Sequence, residues 1–217
     1  FLERTEQHLQ RLAAEASGLD CALVCGYVGR SAAVSAKGAT NSAAILDGGK
    51  VLFRQNKMLL PTYDVFDEAR YFVPAEHQEL CEVRGCKVAL TICEDSWNDK
   101  QYWERRVYRR DPVDELAAQG AELLVSINAS PYHMGKRGLR REIFEAAVHR
   151  HRLPLVYVNQ VGGNDQLVFY GSSFAMDAGA RVIASAASFA EDLVFVDFGA
   201  STGDVREDLA DEHAAAY

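Results

Sequence analysis

Residues 87–99 read KVALTICEDSWND. With Cys86 in front, the run CKVALTIC (86–93) is apolar and has the length of a buried strand. The chain then turns abruptly polar, with Cys93, Glu94, Asp95 and Asn98 crowded into a few residues. A lone cysteine ending a strand is ordinarily a small packed hydrophobe. A strand that empties into such a turn instead presents its sulfur at a sheet edge, with the next backbone N–H placed to stabilise an oxyanion.

Strand-like and helix-like runs alternate outward from this stretch. A first helix carries Leu2, Leu9, Leu12 and Ala16 on one apolar face, and CALVCGYVG (21–29) reads as a strand. Residues 40–57 read as a β-hairpin turning at Asp47-Gly48-Gly49. DPVDELAAQGAE (111–122) is a helix with Asp111 as cap and Pro112 in its first turn. LLVSINAS (123–130) is a strand, GLRREIFEAAVHRHR (138–152) an amphipathic helix and LPLVYVNQVG (153–162) a strand. A second hairpin is expected over 167–186, turning at Asp177-Ala178-Gly179, and a last strand over 191–198. These strand–helix–strand units specify a layered α/β domain, and the hairpins rule out a purely parallel sheet. The polar strand exits at 93–98, 128–133 and 159–165 mark where such folds place their chemistry.

A length of 217 residues fits one domain. A net charge of −8 argues against a nucleic-acid partner, which needs a basic face, and against a polybasic membrane anchor. No apolar run is long enough to span a bilayer. Five cysteines without CxxC spacing read as free thiols, which favours a cytoplasmic location, and give no metal site. Cys21, Cys25, Cys81 and Cys86 are strand or turn residues on this reading.

A nucleophilic thiol needs a base or a neighbouring cation. His133, in the second strand exit, and Lys57, closing the first hairpin, are both available. The bland reading of Lys57 is a surface lysine.

The segments NKMLLPTYDVFDEARYF, LTICEDSWND, LLVSINASPYHMGKR and LPLVYVNQVGGNDQLVFYGSSFAMDA, in this order, resemble the nitrilase (carbon-nitrogen hydrolase) superfamily. They are most similar to its branch of glutamine amidohydrolase domains from bacterial glutamine-dependent NAD+ synthetases. The resemblance covers residues 21–198 and implies an αββα sandwich. It assigns Cys93 as nucleophile on the glutamine carboxamide, forming a γ-glutamyl thioester. It assigns Lys57 to favour the thiolate and to hold the oxyanion together with the Glu94 N–H. Tyr63, Glu94, Ser130 and Lys136 would bind the substrate, with Glu68 as a possible second acid. The plain alternatives are a salt bridge of Glu68 with Arg70 and, for Lys136, one surface cation among several in GKRGLRRE. His133 becomes a loop residue, and His149 and His151 need only the dipole at a helix end. Trp97, Tyr102 and Trp103 are either interface or loop anchors.

The family's base, a glutamate on an earlier strand, matches no residue of this sequence. The resemblance therefore implies a glutaminase domain over 1–198 that is incomplete at its N-terminus, with first strands absent. It implies a linker over 199–217 toward an absent synthetase domain, and only that domain would use ATP and magnesium; no cofactor is expected in this one. Ammonia would pass to that domain for amidation of deamido-NAD+, in a homo-oligomer. The rival readings are a free-standing amidase or carbamoylase, and a non-catalytic module lacking its base.

Overall fold

A computed structural model describes residues 1–31, 38–99, 102–103 and 107–207. Four layers stack in the order helix, sheet, sheet, helix. The outer helix α1 (Leu2–Glu15) buries Leu9 and Ala13 against Ala44 and Leu46. Leu12, expected on that face, is exposed, because the helix meets its sheet one residue further round.

The first sheet is an antiparallel meander of β1 (Leu23–Arg30), β2 (Ala39–Asp47) and β3 (Lys50–Asn56). Its hairpin turns at Gly48 and Gly49, both with positive φ (54° and 80°), opposite the Asp47–Lys50 pair. That conformation is nearly free for glycine and matches the strand twist, so the Asp-Gly-Gly signal holds.

The second sheet has six strands. They are β4 (Cys81–Val83), β5 (Cys86–Ile92), β6 (Leu123–Asn128), β7 (Leu155–Asn159), β10 (Phe174–Met176) and β11 (Val182–Ser185), in the order β11-β10-β7-β6-β5-β4. β5, β6 and β7 are parallel, and the outer pairs are antiparallel. Val88, Leu90 and Ile92 face Ala43 and Ile45 of the first sheet. On the other side Ala89, Leu124, Leu155 and Tyr157 meet α3 (Pro112–Ala118) and α4 (Lys136–His151) through Val113, Leu116, Phe144 and Val148. This strict alternation is why these runs are apolar at nearly every position. α3 is capped by the Asp111 carboxylate, which accepts the Asp114 N–H at 3.1 Å; it ends at Ala118, short of the expected 122.

The second predicted hairpin is two structures. β9 (Leu167–Tyr170) turns back on β8 (Val161–Asn164), and only β10 and β11 pair around Asp177. The Asp177 carboxylate accepts the Gly179 and Arg181 N–H groups there, at 2.9 and 3.0 Å. The expected last strand shrinks to β12 (Val196–Asp197), paired with β13 (Thr202–Gly203). Residues after 207, part of the expected linker, lie outside the described residues.

The parallel trio β5–β6–β7 positions the site. Equal register brings Ile92 opposite Ile127, and Asn128 opposite Asn159. The residues that follow each strand therefore emerge at one edge, which is where open α/β sheets collect polar groups.

Candidate active site

Cys93 begins a single 3₁₀ turn, Cys93–Ser96, directly at the end of β5. Its φ is +46°, a left-handed conformation that costs a side-chain-bearing residue about 1–2 kcal/mol. The turn is braced from below. Thr91 and Ser96 hydroxyls share a hydrogen bond of 2.7 Å, and the Ser96 hydroxyl donates to Ser126 Oγ at 3.3 Å. Asp95, buried within the turn, accepts the Met58 and Leu59 N–H groups at 3.0 and 2.8 Å.

Lys57 follows β3 and is 1% exposed, so it is no surface lysine. Its ammonium pairs with Glu68 of α2 (Glu68–Tyr71) at 2.5 Å, and the same carboxylate accepts Asn41 Nδ2–H at 3.1 Å. The plain reading of Glu68 as the partner of Arg70 fails; Arg70 pairs with Asp67. Lys57, Glu68 and Cys93 line one cleft of about 810 Å³ between the sheets, with Val24, Val28 and Val158 on its walls.

Cys93 opens on its other side into a separate cavity of about 400 Å³. Tyr63, Glu94, Ser130 and Lys136 all line it, alongside Trp97 and Tyr108. The Tyr63 hydroxyl reaches Glu94 at 2.8 Å. Ser130 is held from both sides: its N–H donates to Asn159 Oδ1 (2.9 Å), and its hydroxyl accepts from the Arg140 guanidinium (2.8 Å). Lys136 stands 5.5 Å from the centre of the Trp97 ring. The fold thus gathers six of the sequence-derived residues around one sulfur: Lys57 and Glu68 in the cleft, Tyr63, Glu94, Ser130 and Lys136 in the cavity. His133 is left out; it is exposed and makes only a local contact, with Met134 O at 2.9 Å.

The chain matches the carbon-nitrogen hydrolase family over residues 2–207. It belongs to that family. The chain is 39% identical over 208 residues to a glutamine-dependent NAD(+) synthetase of Synechocystis, covering 94% of this chain and 37% of the relative. A solved glutamine-dependent NAD+ synthetase from Acinetobacter baumannii superposes with a TM-score of 0.76 at 32% identity, over 95% of this chain and 37% of that one. The carbon-nitrogen hydrolase of Helicobacter pylori G27 shares the fold alone, at a TM-score of 0.70 and 23% identity over 87% of this chain and 65% of that one. The chain spans about a third of the length of the curated relatives it matches.

Lys57 pulls the Cys93 thiol down, the direction the resemblance implies, as does Arg140; burial pushes it up more strongly, aided by Glu94 and Glu68, and the net direction is up. A thiol pushed up in this way needs a proton acceptor to become a thiolate. Burial likewise raises the Glu94 carboxyl against the pull of Tyr63, and lowers the Lys136 ammonium with help from Arg140.

Three contributors escaped the sequence reading. Arg140, inside the apparent surface run GKRGLRRE, is 1% exposed. It stacks on Trp97, Tyr157 and Tyr170 and donates to Ser130 and the Tyr170 hydroxyl. Tyr108 joins Tyr63 on Glu94. Asp95, among the polar residues of the turn after β5, carried no expected role. The helical spacing of Lys136 and Arg140, one turn apart, was the available signal for Arg140. The aromatic stretch is anchored within the chain: Trp103 Nε1–H donates to Trp97 O at 2.7 Å, and the Tyr102 hydroxyl to Glu142 at 2.9 Å.

Proposed function

We propose that this domain hydrolyses the side-chain amide of glutamine, with Cys93 as the acyl carrier. One observation carries the reading: the cavity beside the Cys93 sulfur is lined by an acid, Glu94, and by a cation, Lys136. Glutamine has the complementary pair at one end and a carboxamide at the other. Its ammonium fits Glu94, and its carboxylate fits Lys136 and the Ser130 hydroxyl, leaving the amide at Cys93.

The Cys93 S–H proton passes to a base, and the sulfur bonds to the amide carbon. The oxyanion is met by the Lys57 ammonium and the Glu94 N–H. The C–N bond then breaks, the nitrogen leaves as ammonia with a proton returned by the base, and a γ-glutamyl thioester remains. Water, deprotonated by the same base, cleaves the thioester to glutamate and restores the thiol. The base is a carboxylate from outside these 217 residues, as the resemblance implies. The upward push of desolvation on the Cys93 thiol supports that need, and the cleft beside Cys93 and Lys57 offers the space. The ammonia serves an ATP-using synthetase domain that amidates deamido-NAD+; the similarity to the synthetases of Synechocystis and Acinetobacter baumannii supports this.

The test is release of glutamate and ammonia from glutamine by the full-length protein. Cys93→Ala should abolish release. Hydrolysis of simple aliphatic amides in preference to glutamine would reject the reading in favour of a general amidase.

A further inference from the structure

Asp95 is 1% exposed, and all four of its contacts are donors aimed at its two oxygens. Oδ1 accepts the N–H of Met58 (3.0 Å) and of Leu59 (2.8 Å). Oδ2 accepts the Gln78 side-chain amide (2.9 Å) and the N–H of Ile92 (3.4 Å). Met58 is the residue after Lys57, and Ile92 is the residue before Cys93. One carboxylate therefore grips both chain segments at the points next to the two reacting groups. These segments lie more than thirty residues apart and belong to opposite layers of the sandwich. A carboxylate has about four acceptor sites, and here each has a donor. The four donors offset only part of the cost of burying this ion, and an apolar residue would fill the space without that cost.

We propose that Asp95 is a positioning residue, which sets the Lys57 ammonium relative to the Cys93 sulfur by tying their backbones together. The proposal rests on the assignment of Cys93 and Lys57 to the chemistry. Asparagine cannot replace Asp95 here, because its amide N–H₂ would face either the Met58–Leu59 pair or the Gln78–Ile92 pair, all donors. The charged and titratable groups around Asp95 are Lys57, which favours its ionised form, Tyr108, and its neighbour Glu94.

The experiment is the rate of Cys93 carboxamidomethylation by iodoacetamide against pH, read by peptide mass on the full-length protein. Four proteins are compared: wild type, Asp95→Asn, Lys57→Met and the double variant. Asp95→Asn should move the thiol's midpoint up by about one pH unit, a roughly tenfold slower reaction at neutral pH. Lys57→Met should do at least as much, and the double variant should match Lys57→Met alone. A residue that merely holds the fold would slow the reaction equally in both backgrounds, and that result overturns the proposal, as does an unmoved profile. An unmoved profile for Lys57→Met would instead overturn the underlying assignment of Lys57, and the proposal with it. If Asp95→Asn does not fold, Gln78→Leu removes one of the four donors. It should slow alkylation about two- to threefold, only while Lys57 is present, and no slowing overturns the proposal.

Discussion

Lys57 and Glu68 form an unequal pair, since the lysine is 1% exposed and the glutamate 17%. Removing a partner from a buried ion is far more damaging than removing the ion itself. Glu68→Gln should therefore cost about 3 kcal/mol in urea unfolding. Lys57→Met, which leaves a carboxylate with solvent and Asn41 to turn to, should cost about 1 kcal/mol. Equal costs would show that Lys57 reaches water. Asp95 gives a second residue-level prediction. Burial raises its carboxyl to about 6 in the folded chain, above its ordinary value of 3.8. A raised acid favours the folded state most when protonated, so its contribution is full below about pH 4 and is lost as pH rises through 6. Relative to Asp95→Asn, the wild type should gain on the order of 2–3 kcal/mol between pH 7 and pH 4 in denaturant unfolding. That Cys93, Lys57, Tyr63, Glu94, Ser130 and Lys136 meet at one place was legible, because residue type and motif order carry it. The burial of Arg140, the grip of Asp95 and the left-handed backbone at Cys93 depend on distant segments meeting, which no local pattern encodes.

Secondary structure was legible where one signal dominated. The Asp-Gly-Gly turn, the Asp111 cap and the three parallel strands all lie where the sequence puts them. The miss over 167–186 has a definite cause: Gly171 and Ser172 take positive φ (67° and 53°) and end β9 where the apolar pattern runs on. β9 is then free to pair with β8. The chain after β11 reads as a strand over 191–198 but pairs only briefly, at Val196–Asp197. It docks through Gly203, where an added Cβ would lie 2.7 Å from Phe195 O, 2.8 Å from Ile183 O and 2.9 Å from Ala184 Cβ. Two of these atoms are backbone and cannot turn aside. Gly203→Ala should lower stability by about 1–3 kcal/mol. Gly138, within α4 with nothing inside 4 Å of its Cβ position, offers the control. Gly138→Ala should raise the midpoint by roughly 0.5–1 kcal/mol of helix propensity. Thermal or urea unfolding of the two variants reads both signs.

At the scale of the molecule, the two sheets are unequal. Three strands face six, so the inner face is closed over β5, only partly covered at Val125 and Ile127 of β6, and exposed at Val158 of β7 beside the cleft. Cys93 sits on the divide, with the cleft holding Lys57 and Glu68 on one side and the cavity holding Glu94 and Lys136 on the other. The alternation of strands and helices made a layered α/β domain legible; the αββα order came from the family resemblance. The two-sided setting of the sulfur was legible from neither, because it arises from sheet packing. On the proposed function, that setting divides the labour: one side would govern the sulfur's charge and the other would select the substrate. The central claim, that this sulfur accepts the acyl group of glutamine, is tested most directly by a glutamine-shaped diazo-ketone on the full-length protein, with the labelled cysteine located by peptide mass. The account predicts a single adduct on Cys93, slowed by added glutamine and lost in Lys57→Met. Labelling of Cys21, Cys25, Cys81 or Cys86 instead, or an adduct on Cys93 that glutamine does not slow, would contradict it.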